Sequence, residues 1–219
     1  MTIKILIVDD HAILREGVKH ILSEFPDIEV AGEARNGGDA LAKLHAEDWD
    51  VMVLDMSMPG KSGIELIKQI KNEKPKLPIL ILSMHKEDLY AVRTLKAGAS
   101  GYLCKDNAET QLAQAIRKVA KGGLFMSPAV AENLATEALT GTHDAPSHAL
   151  LSDREYQIFR EIACGKAISD IADELNLSVK TVSTHKTRLM QKMNFSNVAE
   201  LIHYAIKHGL VDEGHALPD

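Results

Sequence analysis

Five short apolar runs alternate with segments of helical periodicity over the first 120 residues of the chain. The runs are IKILIV, IEVAGEA, DVMVL, PILIL and SGYLC, which begin at residues 3, 28, 50, 78 and 100. The segments between and after them carry apolar residues three and four positions apart, as Leu112, Ile116 and Val119 do. Repeated strand–helix units predict a parallel sheet with helices on both faces, joined by right-handed crossovers. We therefore expect a doubly wound, five-stranded, flavodoxin-like α/β domain over residues 1–122.

The pattern changes after residue 122. Residues 123–150 predict a linker with one short helix and a polar stretch that contains Gly141 and Pro146. From residue 151 to 219 the periodicity is helical throughout, with predicted helices at 153–164, 168–175, 179–193 and 197–208. The fold class is therefore α/β followed by an all-α domain.

Composition sets outer limits on location and partners. The 219 residues have a net charge of -6, and residues 151–219 hold 8 Lys+Arg against 10 Asp+Glu, so a nucleic-acid partner must be argued from local charge placement. No apolar run approaches the length that spans a bilayer, and the first residues lack the features of a signal peptide. Cys104 and Cys164 have no metal-type spacing. We expect a cytoplasmic protein with reduced thiols and no membrane partner.

The strand ends carry the groups that predict chemistry. The first predicted strand ends at Asp9 and Asp10, the third at Asp55, the fourth at Ser83 and the fifth at Lys105. Ligands of open parallel sheets bind outside these carboxyl ends. Clustered carboxylates repel one another and favour a hard cation such as Mg²⁺, which leaves Asp55 as a nucleophile toward phosphorus. Lys105 and the Ser83 hydroxyl would then stabilise phosphoryl oxygens.

The helix predicted at 179–193 has two unlike faces. Ser178 is a favourable N-cap, and Val182, Leu189 and Met193 share a core stripe. The other face is polar, and residues 180–192 contain four basic residues and no acid. A solvated helix face would explain the charge pattern alone. The preceding helix and tight turn favour a helix-turn-helix whose second helix enters the major groove of DNA.

The motifs ILIVDDH, VLDMSMPGKSG, ILSMH and AGASGYLCKD resemble the receiver domain of bacterial two-component response regulators. The resemblance implies that a sensor histidine kinase phosphorylates Asp55. It implies that Asp10, Asp55 and the backbone carbonyl of Ser57 bind Mg²⁺, with Asp9 in support. Ser83 and Tyr102 occupy the switch positions, so that on phosphorylation Ser83 would move toward Asp55 and Tyr102 would turn inward.

Residues 150–202 resemble the four-helix LuxR-type DNA-binding domain, so the whole chain resembles a NarL/FixJ-family response regulator. The resemblance implies a dimer on two-fold related half-sites, paired through the receiver or the last helix, and an unphosphorylated receiver that masks the recognition helix. The implied DNA-facing residues are Lys180, Thr181, Ser183, Thr184, Lys186, Thr187 and Arg188.

Two alternatives remain at this point. An aspartate-nucleophile phosphatase also has an Asp after a buried strand, but it needs a second Asp two residues later, where this chain has Ser57. A degenerate receiver would control DNA binding without phosphorylation, and the full set of strand-end groups disfavours it. His143 and His148 have no ligand spacing, so we interpret them as solvated or structural.

Overall fold

The computed structural model describes residues 2–56, 58, 63–84, 89–140 and 147–211. The chain divides into two compact units, residues 1–139 and 140–219. The narrower boundaries expected from the sequence, at residues 122 and 151, stay predictions. Gly141, His143 and Pro146 lie outside the described residues. None of the helices in the described ranges is both long and apolar enough to cross a bilayer.

The first unit contains the predicted five-stranded parallel sheet, with strand order β2-β1-β3-β4-β5. Strands and helices alternate along the chain, which confirms the doubly wound fold. Its strands are β1 (Ile3–Val8), β2 (Ile28–Ala34), β3 (Val51–Asp55), β4 (Ile79–Ser83) and β5 (Gly101–Cys104). Each strand of this unit is followed by a helix, and these helices are α1 (Ala12–Ser23), α2 (Gly37–Ala46), α3 (Gly63–Glu73), α4 (Leu89–Lys96) and α5 (Ala108–Ala120).

The central strands are apolar because both faces of the sheet are covered. Every residue of β3, β4 and β5 is buried. One face packs against α1 and α5, where Leu112, Ile116 and Val119 are fully buried. Because successive strand residues point to opposite faces, the alternate positions of the same strands form the core beneath the other helices.

A short extended segment follows α5 and returns to the outer strand of the sheet. Phe125 pairs with Gly101 in a parallel bridge, in which Phe125 N–H donates to Ser100 O at 3.0 Å and Tyr102 N–H donates to Phe125 O at 2.8 Å. A Cβ at Gly101 would lie 2.9 Å from Phe125 O, so this close approach requires glycine. Helix α6 (Pro128–Thr140) follows and has 13 residues, which makes it longer than the short helix expected within the linker.

The second unit is helical, as predicted. After a 3₁₀ turn at Ser147–Leu150 it contains α7 (Asp153–Ala163), α8 (Ile168–Glu174), α9 (Val179–Met193) and α10 (Val198–Lys207). Each of α7, α9 and α10 begins at a side-chain cap, and that of α7 is a reciprocal capping box between Ser152 and Glu155. His148 is buried, and its Nδ1 lies 2.7 Å from Tyr204 Oη, so this histidine is structural.

Candidate functional site

The register of the parallel strands brings the predicted strand-end residues to one level. Val8 of β1 aligns with Leu54 of β3, so the residues that follow them, Asp9 and Asp55, lie side by side on neighbouring strands. Ser83 aligns with Cys104, which places Lys105 one residue beyond Ser83. The sheet itself therefore assembles the site, since these residues are far apart in sequence but adjacent along its carboxyl edge.

Four side chains form a compact cluster of oxygen and nitrogen ligands at this edge. Ligand atoms of Asp9, Asp10, His11 and Asp55 all lie within 4.8 Å of one another. The Asp55 side chain is 1% exposed and that of Asp9 is 7%, whereas Asp10 is 27% exposed. The cluster is therefore closed on the side of the sheet and open to solvent at Asp10.

Lys105 joins the two buried carboxylates. Its Nζ lies 2.8 Å from Asp9 Oδ2 and 3.1 Å from Asp55 Oδ1, and its side chain is only 9% exposed. One ammonium group thus offsets part of the repulsion among three carboxylates. The structure thus brings together four of the predicted strand-end residues, Asp9, Asp10, Asp55 and Lys105.

The Asp9 side chain is held by further contacts that sequence reasoning missed. The backbone N–H of His11 donates to Asp9 Oδ1 at 2.8 Å, and Arg15 Nη1 donates to the Asp9 carbonyl at 2.8 Å. Arg15 is buried, and its Nε donates to Glu33 Oε2 at 2.8 Å. Hydrogen bonds from Lys19 and Arg15 hold the pKa of Glu33 below its usual value. The sequence does contain one indication of this contact, because Arg15 lies on the same buried stripe of α1 as Val18 and Leu22.

The cluster fits a hard cation. It offers three carboxylates, and Asp10 Oδ1 is buried yet accepts no hydrogen bond from the described residues, although His11 Nδ1 lies 3.0 Å from it. Carboxylate oxygens beside open solvent suit an ion that keeps several waters. The predicted third ligand, the carbonyl of Ser57, lies outside the described residues.

The two predicted switch residues are both fully buried in this structure. Ser83 and Tyr102 have no exposed surface. The Tyr102 ring is thus already inside the domain, while its backbone N–H is bonded to Phe125. The expected movement of Ser83 and Tyr102 on phosphorylation stays a prediction.

The second unit carries the predicted helix-turn-helix in α8 and α9. The Ser178 hydroxyl accepts the Thr181 N–H at 3.0 Å, which confirms the predicted cap. Val182, Leu189 and Met193 are buried together, as their spacing predicted. Asn194, with φ +55°, ends α9 in the left-handed conformation. Helix α9 is therefore anchored by one face and leaves the other available.

His185 lies beside the buried stripe of α9. It is partly buried, and its Nδ1 accepts or donates no hydrogen bond within the described residues. Burial lowers the pKa of His185 below its usual value; the charges of Arg154 and Arg188 lower it further, and only the charge of Glu155 opposes the shift. The neutral form of its imidazole is therefore favoured in the folded protein.

The predicted DNA-facing residues lie along the open side of α9. Thr181 is partly buried and its hydroxyl lies 2.8 Å from Ser178 Oγ, so it belongs to the cap as well as to this face. Lys186 is also partly buried. The exposed members are Lys180, Ser183, Thr184, Thr187 and Arg188.

One basic residue of α9 does not add to this face. Lys192 Nζ lies 2.6 Å from Glu155 Oε2, and the Glu155 side chain is 5% exposed. Burial would raise the pKa of Glu155, but hydrogen bonds from Lys192 and from Ser152 outweigh it and hold that pKa below its usual range. The count of four basic residues therefore overstates the positive charge of the face by one.

Two family matches cover most of the chain. Residues 5–117 match the response regulator receiver domain, and residues 149–205 match the bacterial regulatory proteins of the luxR family. Response regulator UvrY of Escherichia coli strain K12 is 36% identical over 208 residues, which are 95% of each chain. Oxygen regulatory protein NreC of Staphylococcus carnosus is 39% identical over 215 residues, 95% of this chain and 99% of NreC.

Solved structures also resemble most of the chain. RcsB from Salmonella enterica serovar Typhimurium, bound to promoter P1flhDC with the phosphomimetic BeF3-, aligns with a TM-score of 0.66 and 31% identity. The alignment covers 93% of this chain and 98% of RcsB. A second structure of RcsB from Salmonella typhimurium aligns with a TM-score of 0.72 and 29% identity, over 94% of this chain and 98% of that one.

Proposed function

Because the chain belongs to the NarL/FixJ family of response regulators, in which a receiver domain precedes a LuxR-type DNA-binding domain, we propose that Asp55 is its phosphoacceptor and that a sensor histidine kinase is the donor. Members of this family are DNA-binding transcription regulators and not enzymes, so the phosphatase alternative is excluded. Phosphorylation of Asp55 would control sequence-specific binding to DNA.

The contact of Lys105 with Asp55 carries this assignment. Both carboxylate oxygens of Asp9 are engaged, Oδ1 by the His11 N–H and Oδ2 by Lys105. Asp10 is more exposed and is held at the rim of the cluster. Asp55 lies at the end of the central strand β3, where it is 1% exposed and has a cation 3.1 Å away, and this position suits it to attack phosphorus.

Each of these residues has a separate role in the proposed phosphoryl transfer. An Asp55 oxygen forms the new bond to phosphorus as the bond to the donor breaks, and the donor nitrogen or oxygen keeps the electron pair. Lys105 neutralises phosphoryl oxygens, and Ser83 would donate a hydrogen bond to one of them. Asp10 and Asp55, with Asp9 in support, would hold Mg²⁺ together with the Ser57 carbonyl, and Mg²⁺ when bound supplies further positive charge beside the phosphoryl group.

Acetyl phosphate provides a direct test of the phosphoacceptor. With MgCl₂ it should add one phosphoryl group to the intact protein, detected by mass spectrometry, and Asp55→Asn should abolish the addition. Asp48→Asn is the matched control, because the Asp48 side chain is 97% exposed and lies outside the cluster. Undiminished labelling of Asp55→Asn would refute the assignment.

The open face of α9 is the proposed DNA-reading surface. It comprises the seven residues named above, and in the described part of the chain Lys180, Lys186 and Arg188 have no carboxylate partner within ion-pair distance. We expect these cations to contact phosphates or bases, and the smaller side chains to contact bases. The last helix is the proposed dimer contact, since Leu201 and Ala205 are buried while Ile202 and Ile206 remain partly exposed.

We also propose that the unphosphorylated receiver masks the recognition helix. The comparison that tests masking is between the full chain and a fragment that starts at residue 147, which keeps the buried His148 in its unit. The fragment should bind DNA without phosphorylation, whereas the full chain should need it for equal affinity. Equal affinity of both unphosphorylated proteins would contradict masking and leave dimerisation as the means of control.

A further inference from the structure

Two hydroxyl groups on the proposed DNA-reading face are already committed as donors. Thr184 Oγ1 donates to the backbone carbonyl of Lys180 at 2.9 Å, and Thr187 Oγ1 donates to the carbonyl of Ser183 at 3.0 Å. Both residues are exposed, so their side chains are accessible even though their hydroxyl hydrogens point back into α9. Threonine favours this arrangement within helices.

A threonine bonded in this way offers a restricted set of contacts. The hydroxyl has a single hydrogen, so once that hydrogen is donated the oxygen can only accept. The γ-methyl group is the other outward feature. Thr184 and Thr187 are three residues apart, on one side of the helix, and therefore present two acceptor-plus-methyl units to the same partner. Ser183, which directly precedes Thr184 and is exposed, makes no side-chain hydrogen bond within the described residues and stays able to donate.

The major-groove edges of base pairs differ in how well they match an accepting oxygen beside a methyl group. An A·T pair presents the adenine amino group as a donor and the thymine methyl group as an apolar contact. Guanine presents two acceptors, N7 and O6, which an accepting threonine oxygen would face without a shared hydrogen, and cytosine presents an amino donor but lacks the methyl group of thymine. Donation to guanine would require the hydroxyl to leave its helix carbonyl.

We infer that Thr184 and Thr187 select A·T base pairs in the major groove through their methyl groups and acceptor oxygens. The inference rests on the proposed function, in which α9 is the recognition helix. Discrimination against guanine is then a property of the free protein, because the hydrogen bonds to Lys180 O and Ser183 O exist before DNA is met. Donor recognition of guanine or of phosphates falls to the cations and Ser183.

The test uses the full chain, treated with acetyl phosphate and Mg²⁺, and duplexes selected by it from a randomised library. Replacing thymine by deoxyuridine at one position read by Thr184 or Thr187 should weaken binding roughly fourfold, the effect of about one buried methyl group. Thr184→Ser, which lacks the methyl group, should bind the two duplexes equally at its position. Thr184→Val should keep the methyl dependence but lose selectivity for adenine over guanine at its position.

Each result separates this inference from the proposed function. Selection of guanine by the wild-type chain, at positions whose preference changes in the threonine variants, would overturn it. Indifference of the wild-type chain to deoxyuridine would also overturn it, while leaving sequence-specific DNA binding intact. If the wild-type chain selected no sequence at all, the proposed function itself would fail. Ser183→Ala serves as the control on the same face, because it should leave the thymine-methyl dependence unchanged.

Discussion

Replacement of Lys105 by methionine tests how the acidic cluster is held together. The ammonium group lies 2.8 Å from Asp9 Oδ2 and 3.1 Å from Asp55 Oδ1, with 9% of the side chain exposed. Lys105→Met keeps the length of the side chain and removes its charge. Three carboxylates would then face one another without the cation that joins two of them.

The expected loss of stability follows from the burial of the cluster. Removing one partner of a buried ion pair costs about 3–5 kcal/mol. Because Asp10 is 27% exposed and admits solvent, we discount the free energy of unfolding lost to about 2–3 kcal/mol. Asp55→Asn makes the opposite change: it removes one of the repelling charges and leaves Lys105 on Asp9, so it should not destabilise the receiver.

Tryptophan fluorescence during urea unfolding measures this effect in the receiver alone. Trp49 is the single tryptophan, and its Nε1 donates to Lys43 O at 3.2 Å, away from the carboxyl ends of the strands. MgCl₂ should stabilise Lys105→Met more than the wild-type chain, because an ion that binds the folded state more tightly adds more stability, and the variant has no ammonium group to compete for the carboxylates. Equal unfolding free energies for Lys105→Met and the wild-type chain, without Mg²⁺, would refute the electrostatic reasoning.

Three further predictions concern other described contacts. Arg15→Lys cannot reproduce both bonds of the guanidinium, so we expect a several-fold lower rate of labelling by acetyl phosphate and weaker Mg²⁺ binding by calorimetry. Because the pKa of His185 is lowered in the folded state, the free energy of unfolding should be highest above pH 6.5 and should decrease as the pH falls toward the folded-state pKa. Unfolding followed by circular dichroism at several pH values should show this decrease, and His185→Gln should reduce it. Lys186→Ala should reduce the salt dependence of DNA binding by about one unit of log–log slope, whereas Lys166→Ala, whose ammonium is paired with Glu174, should not.

The parts predicted from the sequence are those governed by local pattern. Strands β3 and β4 can be predicted because a strand that is buried on both faces requires a continuous apolar run. The cap Ser178 can be predicted because a helix N-terminus favours a side chain that accepts a backbone N–H. The strand-end groups could be grouped because parallel topology places all carboxyl ends at one edge. The family resemblance supplied the assignment of roles to those groups.

The contacts that escaped prediction join residues distant in sequence. Lys192 and Glu155 are 37 residues apart, and nothing near either one indicates the other. The same holds for Arg15 and Glu33, which meet only when β2 lies beside α1. Helix α6 was underestimated because its apolar residues have little helical asymmetry, so periodicity gives a weak signal there.

The pairing of Phe125 with β5 has a consequence for the solubility of the receiver. β5 is an outer strand, and an unpaired outer strand is a template for association with other chains. Phe125 covers the Ser100 carbonyl and the Tyr102 N–H, at a glycine where the strand has no side chain to obstruct a neighbour. A receiver fragment ended at residue 122 would lose this cover and should self-associate, measured by sedimentation velocity, whereas one ended at residue 127 should stay dispersed. On this reasoning, the few residues after α5 protect the outer edge of the sheet from association with other chains, and they also connect α5 to α6.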